Sequence, residues 1–305
     1  MKLLLYKSVL FLIPVLLVCA IVEFKLRKIP NSYSYKKYNL EKRLSQIEVL
    51  ILGSSHTYYG IDPDQLHFCA YNMANVNQTL YYDKMLVGKY IDRMKSLKTI
   101  IVPISYFTLE KEPDSDAKVR YFYYKRYYDI DFPEFNVFDY VNLRRYSLIA
   151  LYGDRTTGII KDRFHTNIIE NIMENGWFKY PYKVKELTVD VANKRISYHH
   201  SLMKQEFAVN NIRILDELIR KAKGRNVNIV FVTLPTSQYY NNLADKHVLL
   251  RKERVMKELC DKYHMKYLDY FADKRFNDED FFDSDHLNGV GAEKFSPILD
   301  KDLRL

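Results

Sequence analysis

The chain has 305 residues, of which 48% are hydrophobic and 28% charged, so global disorder is excluded and one large domain or two ordinary ones can form a core. With only nine glycines and nine prolines, it is neither collagen-like nor low-complexity. The 47 basic and 38 acidic residues leave a net charge of +9, which suits a nucleic acid, an anionic lipid or an acidic glycan as partner.

Three cysteines are too few for a disulfide framework, and none lies in a Cys-x-x-Cys zinc pair. Cys69 and Cys260 could pair in an exported domain, although two buried thiols are favoured.

The N-terminal residues 1–30 are predicted to form a signal anchor. Residues 8–24 are apolar apart from Glu23, and Lys2 and Lys7 precede them. The length of this run is at the short limit for a transmembrane helix. A cleavable signal peptide has the same basic start and apolar core, but no Ala-x-Ala-like cleavage site follows. We therefore expect the helix to stay attached, with residues 31–47 as a linker.

The orientation of this anchor is in conflict with the charge rule. Seven Lys or Arg residues lie between Lys25 and Arg43, which by itself favours the cytoplasm for that side. Long domains cross membranes largely regardless of charge, so we let the motifs below decide and expect an exported domain. The basic stretch could lie against anionic headgroups or form a solvated linker.

The rest of the chain, residues 48–305, alternates predicted strands and helices. Buried strands are indicated by the apolar runs at 48–52, 70–73, 99–104, 228–234 and 266–268. Helical spacing follows at 80–94, 201–223, 243–263 and 291–303. This order predicts an α/β sandwich with a parallel sheet covered by helices on both faces, whose ligands bind at the carboxyl ends of the strands.

The pattern is interrupted between about residues 110 and 200. The segment is rich in aromatic and charged residues, as in Tyr121–Tyr128, and is too long for a plain loop. We interpret it as a mostly helical insertion or lid. Its aromatic and basic side chains could stack on sugars, but a packed subdomain without a ligand is favoured.

Two short segments have the residue types of nucleophilic catalysis. In the first, a predicted strand ends in Gly53-Ser54-Ser55-His56, which can expose a serine hydroxyl at a strand-to-helix turn. In the second, Asp283 precedes His286 by three residues, ahead of the last helix. A carboxylate at that spacing can hold an imidazole in one tautomer, and the imidazole can then accept a proton from a serine.

This pair of segments resembles the catalytic blocks of the SGNH (GDSL-like) hydrolase superfamily. The resemblance is confined to motifs and implies a flavodoxin-like three-layer α/β/α fold. Gly53-Ser54-Ser55 matches the Gly-Asp-Ser block, which makes Ser55 the nucleophile by position. The Asp-x-x-His block falls on Asp283 and His286, which implies a Ser55–His286–Asp283 triad without a cofactor.

The middle blocks of that superfamily are altered in this chain. Asn77 falls near the place of the usual glycine, where a backbone N–H could still serve the oxyanion together with that of Ser55. Ser105 stands where an asparagine is expected, so its hydroxyl could donate instead, or the site could lack that donor.

Membrane-anchored relatives of the superfamily act in the acylation of bacterial cell-surface polymers, often beside a membrane-bound O-acyltransferase. The resemblance therefore implies an O-acyltransferase or acyl esterase that acts on an envelope polysaccharide. An acylated glycan or acyl donor would be its substrate and a membrane-bound O-acyltransferase its partner. Nucleic acid is not expected behind a membrane anchor.

Several alternatives remain for the individual residues. Ser55 could be only a helix N-cap, Ser54 is the fallback nucleophile, and Asp285 could replace Asp283. His56 and Tyr58 are candidates for substrate contact, whereas the pair His199-His200 is expected at the surface. A metal site built from Asp283, Asp285, His286 and His56 is conceivable by ligand type but has no familiar spacing, so no metal is assigned.

Two further functions belong to other classes. The altered middle blocks would suit a non-catalytic scaffold or binding subunit for a membrane acyltransferase or an envelope polymer, whereas retention of Ser55, Asp283 and His286 favours an enzyme. A membrane-tethered protein that binds anionic lipid is the third possibility, and it depends on charge alone.

Overall fold

The structure is a computed structural model that describes residues 2–111, 117–131, 147–153, 156, 169–180 and 187–304. It divides into two compact units. The smaller contains the described residues of Met1–Tyr35 and Asp116–Glu170, and the larger those of Lys36–Ser115 and Asn171–Leu305.

The larger unit is built on a five-stranded parallel sheet, as the sequence predicts. Its strands are β1 (Val49–Ile51), β2 (Ala70–Asn72), β3 (Thr99–Pro103), β4 (Asn228–Thr233) and β5 (Lys266–Asp269). They lie in the order β2-β1-β3-β4-β5, with Leu50 opposite Tyr71 on one side and Ile100 on the other. This is the flavodoxin-like strand order, in which ligands bind beyond the carboxyl ends of the central strands.

Helices connect the strands and complete the α/β sandwich. In chain order the helices of the described residues are α1 (Lys2–Lys28), α2 (Ser32–Arg43), α3 (Ser55–Gly60), α4 (Leu80–Tyr90), α5 (Ala117–Tyr128), α6 (Leu148–Tyr152), α7 (Val189–Ser201), α8 (Phe207–Lys223), α9 (Gln238–Leu243), α10 (Lys246–Tyr263) and α11 (Gly289–Arg304). Short 3-10 turns occur at Pro63–Gln65 and Asp278–Asp280. The predicted single helix over 201–223 is wrong at its start, because α7 ends at Ser201 and α8 begins at Phe207.

The core of the larger unit explains why the strands are continuous apolar runs. Val49, Ile51, Ile101 and Val232 pack with Phe295 of α11 in one cluster, and each is less than 3% exposed. Strands of a parallel sheet are buried on both faces, so polar residues are confined to the strand ends. The candidate site therefore lies where β1 and β3 end.

The predicted linker at 31–47 is instead part of the folded protein. Its residues 32–43 form α2, and Leu40, Leu44 and Ile47 are buried in the larger unit. Lys36 is fully buried, with its ammonium bonded to the Ala74 carbonyl and 4.3 Å from the centre of the Tyr58 ring. Burial lowers the pKa of Lys36 well below its ordinary value, so this residue does not contact headgroups.

The predicted insertion is only partly described. Residues 112–116, 132–146, 154–155, 157–168 and 181–186 lie outside the described residues. Within the described part, α5, α6 and α7 are helical, as expected. Tyr121, Phe122, Tyr124 and Tyr128 of α5 are buried, which favours a packed subdomain over a sugar-binding surface for this stretch.

Among the residues that the structure describes, one helix is long and apolar enough to cross a membrane. It runs from Tyr6 to Lys28, although length and composition alone do not separate a membrane span from a signal sequence. Near its end the Glu23 carboxylate accepts hydrogen bonds from the Ser147 hydroxyl (2.9 Å) and from the backbone N–H groups of Leu148 (3.0 Å) and Ile149 (3.1 Å). Glu23 thus caps the start of α6.

Candidate active site

The turn between β1 and α3 presents Ser55 at the carboxyl edge of the sheet. Gly53 has φ +110°, and a Cβ at this position would overlap the Pro103 side chain, so both conformation and space require glycine. Ser54 is the N-cap residue of α3, although its side chain makes no capping hydrogen bond. Ser55 is the first helical residue, which rules out the alternative that it serves as the N-cap.

The loop before α11 supplies the second half of the site. Asp283 Oδ1 accepts the backbone N–H groups of Asp285 (3.2 Å) and His286 (3.0 Å), and Phe282 N–H donates to the His286 carbonyl (2.8 Å). These bonds close a tight turn in which Asp283 faces the imidazole three residues later. Asp at the start of such a turn commonly bonds to the backbone two residues ahead.

The two halves meet in one hydrogen-bonded line. His286 Nε2 lies 2.7 Å from Ser55 Oγ, and His286 Nδ1 lies 2.9 Å and 3.0 Å from the Asp283 carboxylate oxygens. Because an ionised carboxylate only accepts, Nδ1 carries the proton and the lone pair of Nε2 faces Ser55. The three residues that the motifs paired are thus in contact, whereas Ser54 Oγ has no histidine partner among the described residues.

A second hydrogen-bonded line of the same residue types, Ser105–His56–Asp285, lies beside the first line, Ser55–His286–Asp283. Ser105 Oγ is 2.8 Å from His56 Nδ1, and His56 Nε2 is 2.9 Å from Asp285 Oδ2. Asp285 belongs to this line, although its Oδ1 also lies 3.5 Å from His286 Nδ1. The His56 and His286 rings are in edge contact, with centroids 5.0 Å apart. Ser105, His56 and Asp285 are each at least 95% buried.

Arg195 of α7 joins the two lines. Its Nε donates to Asp285 Oδ1 (2.7 Å), and its Nη2 lies 3.2 Å from His286 Nε2. His199, one turn along α7, is 3% exposed with Nδ1 2.6 Å from the Tyr240 hydroxyl and Nε2 3.7 Å from Asp285. The expected surface position of His199 is therefore wrong, while His200 is exposed.

Charges around His286 set its basicity. Burial alone would lower the pKa of His286, but the carboxylates of Asp285 and Asp283 outweigh burial and raise it above its ordinary value. Burial likewise opposes ionisation of Asp285, yet His286, Arg195 and His56 hold its pKa well below the ordinary value. Burial is the main cause of the lowered pKa of His56, which is therefore neutral and accepts the Ser105 proton at Nδ1.

A metal ion would have to compete with Arg195. The ligand atoms of His56, Asp285 and His286 lie within 4.8 Å of one another, which by distance alone could bring them to one ion. The guanidinium already contacts Asp285 and His286, and a divalent cation next to it would be repelled. We assign these residues to hydrogen-bonded lines and not to a metal centre.

The structure bears differently on the two residues, Asn77 and Ser105, that were expected to supply oxyanion donors. Asn77 has φ +58°, a left-handed conformation that asparagine tolerates better than most residues, and this explains how it can stand in the place of a glycine. The Asn75 N–H donates to the Gly53 carbonyl (3.0 Å), which holds the loop around Asn77 against the turn between β1 and α3. By contrast, the Ser105 hydroxyl is committed to His56, so the expectation that it donates to an oxyanion is wrong.

The two residues expected to contact substrate are also poorly placed for it. His56 is 3% exposed and both of its ring nitrogens are engaged, and Tyr58 is 4% exposed against Lys36. Instead, the half-buried rings of Tyr59, Tyr180 and Phe282 form a cluster that reaches His286 through Tyr59. Tyr59 lies 5.5 Å from the His286 ring and 4.5 Å from Tyr180, which lies 3.8 Å from Phe282.

A buried carboxyl group supports the turn between β1 and α3. Asp83 of α4 accepts the Gly53 N–H (3.0 Å) and the Gln78 amide (2.6 Å) and is 1% exposed. Burial outweighs these bonds and raises the pKa of Asp83 to about 7. The group thus titrates near neutral pH.

Sequence reasoning missed Arg195, Tyr180 and Asp83. Arg195 lies 90 residues from its partner Asp285, within the interrupted segment, and no spacing rule connects them. The only available signal was Asp285 itself, because a second acidic residue beside a predicted catalytic histidine needs a cation or another partner when it is buried.

The comparisons with known proteins give distant structural likenesses. No family model matches the chain, and no curated protein matches it. A structure from Bacteroides fragilis, described as "a putative acylhydrolase", shares 11% identity over 88% of this chain and 94% of its own, with a TM-score of 0.43. A GDSL-like lipase from Bacteroides thetaiotaomicron shares 9% identity over 90% and 98%, with a TM-score of 0.42. The chemical interpretation of the site therefore depends on its own geometry.

Proposed function

We propose that the protein is a serine-dependent acyl-ester enzyme, an O-acyltransferase or esterase, that acts on a bacterial cell-envelope polysaccharide. The observation that carries this proposal is the line Ser55–His286–Asp283, in which His286 lies 2.7 Å from Ser55, 231 positions earlier in the chain, and 2.9 Å from Asp283. A serine bonded to a histidine that a carboxylate orients is the arrangement of nucleophilic acyl transfer.

The reaction follows from the protonation states of the line. Ser55 Oγ attacks the acyl carbon while His286 Nε2 accepts its proton, and Asp283 stabilises the imidazolium. His286 then protonates the departing oxygen, which leaves an acyl-Ser55. A sugar hydroxyl or water, deprotonated by His286, attacks this ester and frees Ser55.

The developing oxyanion needs hydrogen-bond donors near Ser55. We assign the backbone N–H of Ser55 and the loop that contains Asn77, because Ser105 is occupied by His56. Loss of one such donor in a well-studied protease costs about 3 to 4 kcal/mol, so the altered third block is expected to slow the reaction without abolishing it.

The polysaccharide substrate is supported by the aromatic cluster that reaches His286 through Tyr59. Tyr59, Tyr180 and Phe282 are half-buried, and each therefore offers part of a ring to a ligand. Ring faces next to a catalytic group suit a sugar, whose C–H bonds pack on an aromatic surface while its hydroxyls remain hydrated.

The envelope location is supported by the apolar helix Tyr6–Lys28, which we assign as an uncleaved anchor with the enzyme domain outside the cytoplasm. A membrane-bound O-acyltransferase is the partner that would deliver acyl groups to such a domain. Transfer and hydrolysis share the acyl-serine and differ only in whether a sugar hydroxyl or water attacks it.

The proposal is tested with a fluorophosphonate probe on the full chain in detergent, with mass spectrometry to locate the label. We expect labelling at Ser55 that is lost in Ser55→Ala and His286→Ala and retained in the matched control Ser105→Ala. A folded wild-type protein that takes no label would contradict the proposal and favour the scaffold function.

A further inference from the structure

The position of Arg195 at the proposed nucleophile is not explained by ester chemistry alone. Its side chain is 28% exposed, with Nε bonded to the buried Asp285 carboxylate and Nη2 3.2 Å from His286 Nε2. Within the described part of the chain, Nη1 has no hydrogen-bond partner. The inner side of the guanidinium is therefore fixed, while its outer edge is open to a ligand.

Arg195 competes with Ser55 for the same lone pair. His286 Nδ1 is used by Asp283, and a neutral imidazole has one accepting nitrogen. Ser55 Oγ at 2.7 Å and Arg195 Nη2 at 3.2 Å both approach that nitrogen. A guanidinium N–H that donates to Nε2 withholds the lone pair from the serine proton, and its charge opposes the imidazolium that forms next.

An anion would remove this conflict. The planar fork of arginine matches a carboxylate or phosphate, which can bind its two terminal nitrogens together. An anion in contact with Nη1 and Nη2 draws Nη2 away from His286, while the bond from Nε to Asp285 keeps the side chain in place. The same anion partly neutralises Arg195 when His286 becomes charged.

On the basis of the proposed serine ester chemistry, we propose that Arg195 binds a carboxylate or phosphate group of the substrate close to the scissile ester and thereby leaves His286 Nε2 to Ser55. The favoured substrate is thus an acylated acidic glycan. Arg195 keeps its own proton throughout. The proton of Ser55 passes to His286 and then to the departing oxygen as the acyl C–O bond breaks.

The test compares matched esters that differ by one charge. O-acetyl glucuronic acid and its methyl ester form the carboxylate pair, and O-acetyl glycerol phosphate and O-acetyl glycerol form the phosphate pair. For each pair kcat/KM is measured with the full-length wild-type protein in detergent and with Arg195→Gln and Arg195→Lys. Arg254→Gln, at an exposed position of α10, is the control.

We expect wild type to prefer the anionic member of at least one pair by about tenfold or more, as is usual for a charge-assisted bidentate contact. The pair that shows the preference identifies the anion. Arg195→Gln should lose the preference, because kcat/KM falls more for the anionic member than for the neutral one. Arg195→Lys, which keeps a cation near Asp285, should lose it as well, and Arg254→Gln should retain it.

Other roles of Arg195 give different results. An oxyanion donor, or a residue needed only to hold Asp285, would lower kcat/KM for both members of a pair alike, and that result overturns the proposal. Equal turnover of both members by wild type also overturns it, while the proposed serine chemistry stands. No turnover together with no fluorophosphonate label at Ser55 overturns the serine chemistry and this proposal with it.

Discussion

Two Ser–His–Asp lines lie side by side in this protein, and they differ in surroundings rather than in residue type. In the first, the side chains of Asp283 and His286 are 23% and 7% exposed, and the Tyr59 ring lies 5.5 Å from the His286 ring. In the second, the Asp285 side chain is fully buried, and the His56 ring packs against Phe107 at 5.5 Å. The histidine of the second line also has the opposite orientation, with Nδ1 towards the serine.

A hydrogen-bonded Ser–His–Asp triad is therefore not by itself a catalytic site. Ser105 is 2% exposed, against 6% for Ser55, and its hydroxyl is committed to His56, a bond that holds the loop after β3. The second line still influences the first, because Asp285 adds a negative charge beside His286 and Arg195 balances it. In the proposed mechanism the first line reacts, and the second sets its electrostatics.

The largest expected effect separates the two serines. Ser55→Ala should lower kcat for ester turnover by at least about 10³-fold, as in other enzymes that lose a catalytic serine, because no nucleophile remains. Ser105→Ala should keep kcat within about tenfold, since its loss alters packing but removes no reacting atom. Steady-state kinetics on a simple acetyl ester measures both. Comparable losses in the two variants would refute the assignment of separate roles.

The next effect separates the two carboxylates. Asp283→Asn should lower kcat by about 10² to 10⁴-fold, because an amide can bond to His286 in the wrong tautomer. At alkaline pH, Asp285→Asn should lower kcat much less than Asp283→Asn does. If Asp285→Asn proved the more damaging of the two there, Asp285 and not Asp283 would be the partner of the catalytic histidine.

The pH profile gives a smaller and more diagnostic effect. His286 must be neutral to accept a proton, and its pKa is raised by Asp285 and Asp283, so activity is lost as pH falls through that raised value. Asp285→Asn removes one negative charge and leaves Arg195 positive. The acid limb of kcat/KM should therefore move to lower pH by about one unit. An unchanged acid limb would show that Asp285 does not act on His286.

The smallest effect concerns stability rather than activity. Asp83 has its folded pKa raised to about 7, so the folded state holds a proton that the unfolded chain releases at lower pH. Asp83 therefore costs stability as pH rises from about 4 to about 7, at up to roughly 1.4 kcal/mol per pH unit. Asp83→Asn can accept the Gly53 N–H through its amide oxygen, and its stability should fall less over this range in denaturant unfolding.

The sequence predicts the sheet and the first line better than it predicts the second. The strands are visible because both faces are buried, which leaves continuous apolar runs such as that around Leu50. Ser55, Asp283 and His286 are visible because each lies in a short local motif. By contrast, the contact among Ser105, His56 and Asp285 forms only through the tertiary fold, so no spacing in the sequence predicts it.

The same limit explains the errors at individual residues. His199 looks like a surface residue beside His200, yet it is buried because that face of α7 turns towards Tyr240. Lys36 belongs to a basic stretch by composition but is enclosed by packing around Tyr58. Whether a polar side chain faces inward depends on the neighbouring elements, which a single sequence does not list.

The capping contact of Glu23 has a consequence for processing of the N-terminus. A signal peptidase that cut after the apolar run would remove the carboxylate that accepts the N–H groups of Leu148 and Ile149 and the hydroxyl of Ser147. The start of α6 would then keep the N-cap contact of Ser147 to the Ala150 N–H but lose the Glu23 acceptor, at a cost of about 1 kcal/mol typical of a lost capping contact. The first helix is thus a structural member of its unit as well as the proposed membrane anchor, and its retention preserves these contacts.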